Sequence, residues 1–204
     1  MTRRYVALGD SYTIGEGVTA SERWPAQLTA ALRHRGVPIA DPVIVARTGW
    51  TTSDLLTALD SISSPLPRPF DLVSLLIGVN DQYRGLGIHV FRVGFEKLLS
   101  RALEYAGGEA RHVVVVSIPD WGVTPFAAAD PRGSIEIGGE INQFNAVARD
   151  AARQAETAFV DVTPLSRQAA TDRALLAPDG LHPSGAMYAS WVELLEPVVV
   201  RALN

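Results

Sequence analysis

Tyr5-Val6-Ala7-Leu8-Gly9-Asp10-Ser11-Tyr12 decides how this chain folds. An apolar run of strand type stops at a Gly-Asp-Ser turn, so Ser11 stands at the carboxyl end of the first strand. In an open α/β sheet, reactive groups gather in the crevice outside those ends. The triplet alone is common loop chemistry, and Ser11 read in isolation serves equally well as a helix or turn cap. Its weight comes from four residues further along the chain. Gly49, Asn80, and the pair Asp179 and His182 each lie just beyond another apolar run or at the start of the last helix. Together with Ser11 they contain every part of an acyl-transfer site.

Outward from that stretch, β-type runs alternate with amphipathic ones, the pattern of a parallel sheet covered by helices. Five strands are expected, at Tyr5–Gly9, Val43–Arg47, Leu72–Gly78, His112–Ile118 and Ala158–Val162. Most are near-continuous apolar runs, as strands buried on both faces require. Helices are expected at Ser21–Arg35, Thr52–Ser61, Val90–Ala106 and Gly139–Ala155; in the third, Phe91, Phe95, Leu98 and Ala102 recur at helical spacing. A last helix from Ser184 turns Tyr188, Trp191, Val192 and Leu195 inward, and Pro197 is expected to break or kink it. Ser64–Phe70, with Pro65, Pro67 and Pro69, reads as a short extended lead-in to the third strand. Pro119–Gly138 reads as a long loop at the carboxyl end of the fourth strand; loops of that length in compact domains are usually functional or disordered, and a surface loop that merely covers the sheet edge is the plainer reading. Trp121, Pro125 and Phe126 make it apolar enough to wall a substrate pocket.

The 204 residues, 47% of them hydrophobic, suit one compact domain spanning 1–204, since roughly 100–200 residues commonly make one. The net charge is −4 with both signs interspersed. That leaves no basic stripe for nucleic acid and no polybasic membrane patch, so the expected partner is a small molecule. No cysteine is present, which excludes thiol nucleophiles, disulfides and Cys-based zinc sites. No apolar run approaches the ~18 residues of a membrane span. Met1-Thr2-Arg3-Arg4 leads straight into the first strand without a signal-type apolar region, and a cytoplasmic protein is expected.

Of the four histidines, His34 lies between two arginines on a helix, His89 precedes a helix that packs on the sheet, and His112 opens the fourth strand at its far end. His182 remains on the side of Ser11. In Asp179-Gly180-Leu181-His182-Pro183, one turn brings the Asp179 carboxylate to the imidazole Nδ1 and leaves Nε2 to accept the serine proton. Asp179 alone would pass for a turn residue, and His182 for a helix-start residue. Asn80, in Ile77-Gly78-Val79-Asn80-Asp81, reads either as an Asx-turn residue or as an amide donor to a tetrahedral oxyanion. In the second case the backbone N–H groups of Ser11 and Gly49 complete the hole, the glycine allowing close approach. Asp10 and Asp81 read as structural, Asp10 fixing the turn that presents Ser11.

These blocks resemble those of the SGNH hydrolases, the GDSL-type esterase and lipase family. Gly9-Asp10-Ser11-Tyr12-Thr13 is similar to its first block, with Tyr12 in place of the leucine of the name. Gly49 in Arg47-Thr48-Gly49-Trp50 resembles its glycine block, Gly78, Asn80 and Asp81 its Gly-x-Asn-Asp block, and Asp179 and His182 its Asp-x-x-His block. The four run in the family order from position 9 to position 183. The resemblance implies an α/β fold: a three-layer α/β/α sandwich on a five-stranded parallel sheet of flavodoxin-like order 2-1-3-4-5. It also implies a serine esterase that needs no cofactor and no metal and acts on a small-molecule acyl ester. Ser11 would be the nucleophile, His182 the base and Asp179 its orienting partner, with Ser11, Gly49 and Asn80 forming the oxyanion hole.

No Gly-x-Ser-x-Gly elbow occurs, which disfavours the separate α/β-hydrolase family. A flavodoxin-like binder cradling phosphate at Ser11–Gly15 is the alternative from another class; there Asp10 would repel the phosphate, and Asp179 and His182 would have no task. A metal-dependent hydrolase built on Asp10, Asp81, Asp179 and His182 has a single histidine to offer. Acyl transfer to a second alcohol would use the same triad as hydrolysis. With no inserted lid segment, and with Trp121 and Phe126 able to close a small pocket, short acyl esters are the expected substrates, O-acetyl and lysophospholipid-type esters among the compatible classes.

Overall fold

Strands that are apolar on both faces must be covered on both, and the alternating order of the chain supplies the covers. The computed structural model describes residues 1–61 and 69–203. Its elements are β1 (Tyr5–Gly9), α1 (Ser11–Ile14), α2 (Trp24–His34), β2 (Val43–Ala46), α3 (Thr52–Asp60), β3 (Leu72–Leu76) and α4 (Val79–Tyr83). Beyond these lie α5 (Ile88–Tyr105), β4 (Val113–Val116), α6 (Gly133–Gln154), β5 (Ala158–Val160), α7 (Thr163–Ser166) and α8 (Gly185–Leu203). The five strands form one parallel sheet in the order β2-β1-β3-β4-β5. α2 packs on α8 over one face, while α3, α5 and α6 lie side by side over the other. This is the three-layer sandwich and strand order expected from the sequence.

β1, β3 and β4 are buried along their whole length. β2 is not: Val43 is exposed and Ile44, Val45 and Ala46 are half-buried, because β2 is an edge strand with a neighbour on one side only. β5, at the other edge, is likewise half-buried at Ala158 and Phe159. The apolar content of a run therefore reports strand character without telling centre from edge.

Three expectations need correction. The helix expected at Gly139–Ala155 begins at Gly133, so the long loop at Pro119–Gly138 shrinks to two 3-10 turns, Trp121–Val123 and Pro125–Ala129. Gly138 and Gly139 look like a stop signal, but Ile137, Ile141 and Phe144 continue one buried face across them, and tertiary packing overrides propensity. Of the break or kink expected at Pro197, the break does not occur: α8 runs on to Leu203. The Pro197 ring forfeits one backbone bond, and Leu195 and Val199 remain buried on either side. The helix expected from Ser21 starts at Trp24, after a 3-10 turn, Ala20–Glu22, closed by a Thr19–Glu22 capping box. The proline-rich run Ser64–Phe70, apart from Pro69 and Phe70, lies outside the described residues.

Strand order and register together build the site. β1 sits between β2 and β3, with Gly9 paired to Ala46 and to Leu76. The segments leaving all three strands emerge at one edge, α1 in the middle, the Gly49 turn to one side and α4 to the other. Because the chain runs from β1 to β2 on one side and then crosses back to β3 on the other, this end of β1 is the topological switch point where such sheets bind ligands.

Candidate active site

Ser11 is the first residue of α1, and the capping position before it belongs to Asp10, whose Oδ1 accepts the Tyr12 N–H at 3.0 Å. The cap reading of Ser11 therefore falls to its neighbour. The Ser11 hydroxyl is left without a hydrogen bond among the described residues and lines a cavity of about 120 Å³.

Asp10 is wholly buried, and its Oδ2 has no partner among the described residues. Burial pushes its pKa up to about 8; the Tyr12 N–H pulls the other way, and the nearby Asp81 carboxylate pushes further up. A carboxyl raised in the fold above its unfolded ~3.9 gains a proton on folding, so its contribution to stability falls as pH climbs from about 4 to about 8. Asp10→Asn keeps an oxygen for the Tyr12 N–H and carries no charge. Its melting temperature is therefore expected to gain on that of the parent as pH rises from about 5 to about 8. A difference independent of pH would show that Asp10 is ionised throughout.

The last two site residues are set by a local turn. The N–H groups of Leu181 and His182 both donate to Asp179 Oδ1 at 2.9 Å, and His182 Nδ1 meets Asp179 Oδ2 at 2.6 Å. Partial burial pushes the Asp179 pKa up; hydrogen bonds from the His182 ring and from the two backbone N–H groups more than offset this and leave it below the usual carboxylate value. Tyr12 stands edge-on to the imidazole, 5.5 Å between centroids. Nε2 makes no hydrogen bond among the described residues, and His182 lines the same cavity as Ser11. No hydrogen bond joins the two side chains among the described residues. In unliganded sites such contacts are often long and close only around substrate.

Gly49 turns with φ +82°, in the left-handed region that suits glycine. Two groups from the α4 side hold that turn: Arg84 Nη2 donates to the Gly49 carbonyl at 2.6 Å, and Asn80 Nδ2 donates to the Trp50 carbonyl at 2.9 Å. An amide has two N–H donors, and the side chain of Asn80, which lines the cavity, makes no other hydrogen bond among the described residues. Gly78, with φ +124°, starts α4; a Cβ there would run into the Phe91 ring. Asp81 accepts from Thr52 N at 2.9 Å and from Thr52 Oγ1 at 2.6 Å, tying the start of α3 to α4. This is the structural task expected of it.

Trp121 and Phe126 both line the cavity, Trp121 buried and Phe126 exposed at its lip. The Phe126 N–H donates to the Gly180 carbonyl at 3.3 Å, which latches this wall to the Asp179–His182 turn. Tyr83 completes the wall, its ring edge-on to Trp121 at 5.4 Å. No sequence signal marked Tyr83, because a one-turn helix after a strand leaves no readable period. His34, His89 and His112 do not line this cavity. Among the described residues no group of three or more His, Asp or Glu side chains is arranged to hold a metal ion.

Ser11 after β1 and the Asp179–His182 pair before the last helix thus stand at one end of the parallel sheet of an α/β/α sandwich, with Ser11 and His182 on one cavity. The chain matches the model of the GDSL-like lipase/acylhydrolase family over residues 7–189 and belongs to that family. Among solved structures it is similar to TesA, at 22% identity and TM-score 0.72 over 98% of this chain and 100% of that one. It is also similar to the psychrotrophic esterase EstA from Pseudoalteromonas sp. (17%, TM-score 0.71, 99% of each chain). A third is Axe2, an acetylxylan esterase from Geobacillus stearothermophilus (18%, TM-score 0.68, 99% of this chain and 94% of that one). At these identities the likeness shows the fold. No curated protein sequence matches the chain. Family membership supports an esterase or acylhydrolase acting on a small-molecule ester. Among the described residues no helix is long and apolar enough to cross a membrane.

Proposed function

We propose that this chain is a serine esterase that hydrolyses short acyl esters through an acyl-serine intermediate. The observation that carries the reading is the 2.6 Å contact between Asp179 and Nδ1 of His182, a histidine that lines one cavity with an uncommitted Ser11 hydroxyl. Ser11 Oγ attacks the ester carbonyl carbon while its proton passes to His182 Nε2. The carbonyl oxygen becomes an oxyanion held by the N–H groups of Ser11 and Gly49 and by the free amide N–H of Asn80. When the tetrahedral centre collapses, the bond to the alcohol oxygen breaks and His182 returns the proton to it. Water then attacks the acyl-serine with His182 as base, releasing the acid and restoring Ser11. EstA, which shares this fold, is described as inhibited by monoethylphosphonate, and phosphonate labelling of Ser11 is the matching test of this reading.

Asn80→Ala is expected to lower kcat by roughly 10²–10³-fold with little change in KM, as for the loss of one oxyanion-hole donor. Because Asn80 also holds the Trp50 carbonyl, melting temperature is to be measured on the same preparation. A stable variant with unchanged kcat would remove Asn80 from the hole.

Acyl length is limited by the room available. The rings of Tyr83, Trp121 and Phe126 wall a cavity of about 120 Å³ beside Ser11, small for a ligand site and suited to a short acyl group. Turnover of p-nitrophenyl esters is accordingly expected to peak at acetyl to butyryl and to fall with longer chains. Faster turnover of the octanoyl than of the acetyl ester would overturn this. That Axe2 is an acetylxylan esterase accords with a short acyl group.

A further inference from the structure

Behind the aromatic wall runs a series of polar contacts, buried at Trp121 and Gln82 and part-buried beyond them, that the hydrolytic steps do not use. The Trp121 indole N–H donates to Gln82 Oε1 at 2.8 Å, and Gln82 Nε2 donates to Glu140 Oε2 at 2.6 Å. Arg132 Nη1 donates to the same Glu140 oxygen at 3.0 Å, while its Nη2 holds Asp130 Oδ2 at 2.8 Å. The Arg132 guanidinium lies over the indole, 5.5 Å from the ring centroid. Hydrogen bonding to Arg132 in turn brings the Asp130 carboxyl down to about 2, so this end of the series stays charged.

Gln82 and Trp121 are each 2% exposed. A buried amide is costly unless both its ends are paired. Here both are, one to the indole and one to α6, so the amide has a single orientation and the indole a single tilt. The other two rings of the wall are held differently. Tyr83 and Phe126 are 46% and 45% exposed and rest against Trp121 by ring contacts at 5.4 and 6.0 Å. One ring is fixed and two lean on it.

We infer that Gln82 is a positioning residue that sets acyl-chain selectivity, fixing the Trp121 indole as the end wall against which the acyl group is measured. This rests on the proposed esterase activity. The substrate class it selects is an ester of a short, unbranched acid, acetyl to butyryl. The selecting device is the polar bracket from Gln82 to Glu140 as much as the rings themselves. A bracket that merely fastened α4 to α6 would change stability, or all esters alike; one that sets the wall changes the ranking of acyl lengths.

The test uses the full chain with p-nitrophenyl acetate, butyrate and octanoate, so that the leaving group is constant. Gln82→Leu keeps most of the volume and removes both hydrogen bonds. It is expected to raise the octanoate-to-acetate ratio of kcat/KM by at least ~10-fold, within the range that pocket contacts to a few methylenes command, with the gain carried by a lower KM for octanoate. Glu140→Ala removes only the outer end of the bracket at a part-exposed position and is expected to move the ratio the same way by a smaller factor. It also serves if Gln82→Leu fails to fold. An unchanged ratio in a folded variant, or an equal loss on all three esters, overturns the role of Gln82 and leaves the esterase reading standing. A parent protein that turns over none of the three esters overturns the esterase reading itself.

Discussion

Ser11→Ala is expected to lower kcat on an acyl ester by roughly 10⁴–10⁶-fold, His182→Ala by a similar factor, and the double variant by no more than either alone. The non-additivity is the informative part. A serine whose proton has nowhere to go and a base with no proton to take are equally idle, so the second deletion removes nothing further. Two residues acting independently would instead multiply their losses. Steady-state kinetics on the three variants, together with intact-mass detection of a fluorophosphonate adduct, measures both halves. Labelling that persists in Ser11→Ala would move the nucleophile elsewhere.

Asp179→Asn is expected to cost about 10⁴-fold in kcat, with the fold preserved. The turn dictates the reason. The N–H groups of Leu181 and His182 both point at Oδ1, so an asparagine must place its oxygen there and present its NH₂ to His182 Nδ1. That amide donates to Nδ1 and drives the ring proton onto Nε2, the nitrogen that has to accept the proton of Ser11. The variant should therefore be stable and hold its histidine in the wrong tautomer. Should Asp179→Asn keep near-normal kcat, the carboxylate would be a turn residue and nothing more.

What the sequence could reveal depended on how local each determinant is. Every bond that joins Asp179 to His182 lies within four residues, and the spacing was legible for that reason. The buried centre of the sheet was equally plain, because β1, β3 and β4 are apolar on both faces. Ser11 could not be separated from a cap by sequence, since the answer is the direction of the Asp10 side chain. The start of α6 was hidden by Gly138 and Gly139, whose helical state depends on packing that brings Ile137 and Ile141 to the core. Tyr83 and Gln82 carried no signal at all. Their roles come from meeting Trp121 and Glu140, which lie far along the chain.

β2, the half-exposed strand at the edge of the sheet, carries a consequence for how the protein fails. It is four residues long and delivers the turn that holds Gly49. Edge segments with few buried contacts open locally at a lower free energy than the whole domain needs to unfold. The Arg84 and Asn80 bonds to the 49–50 carbonyls are then the rivets along a seam, and the seam runs beside the cavity that Ser11 and His182 line. Warmed or lightly denatured, the molecule would lose this margin of its sheet while β1, β3 and β4 stayed intact, so catalytic silence would arrive in a protein that still looks folded.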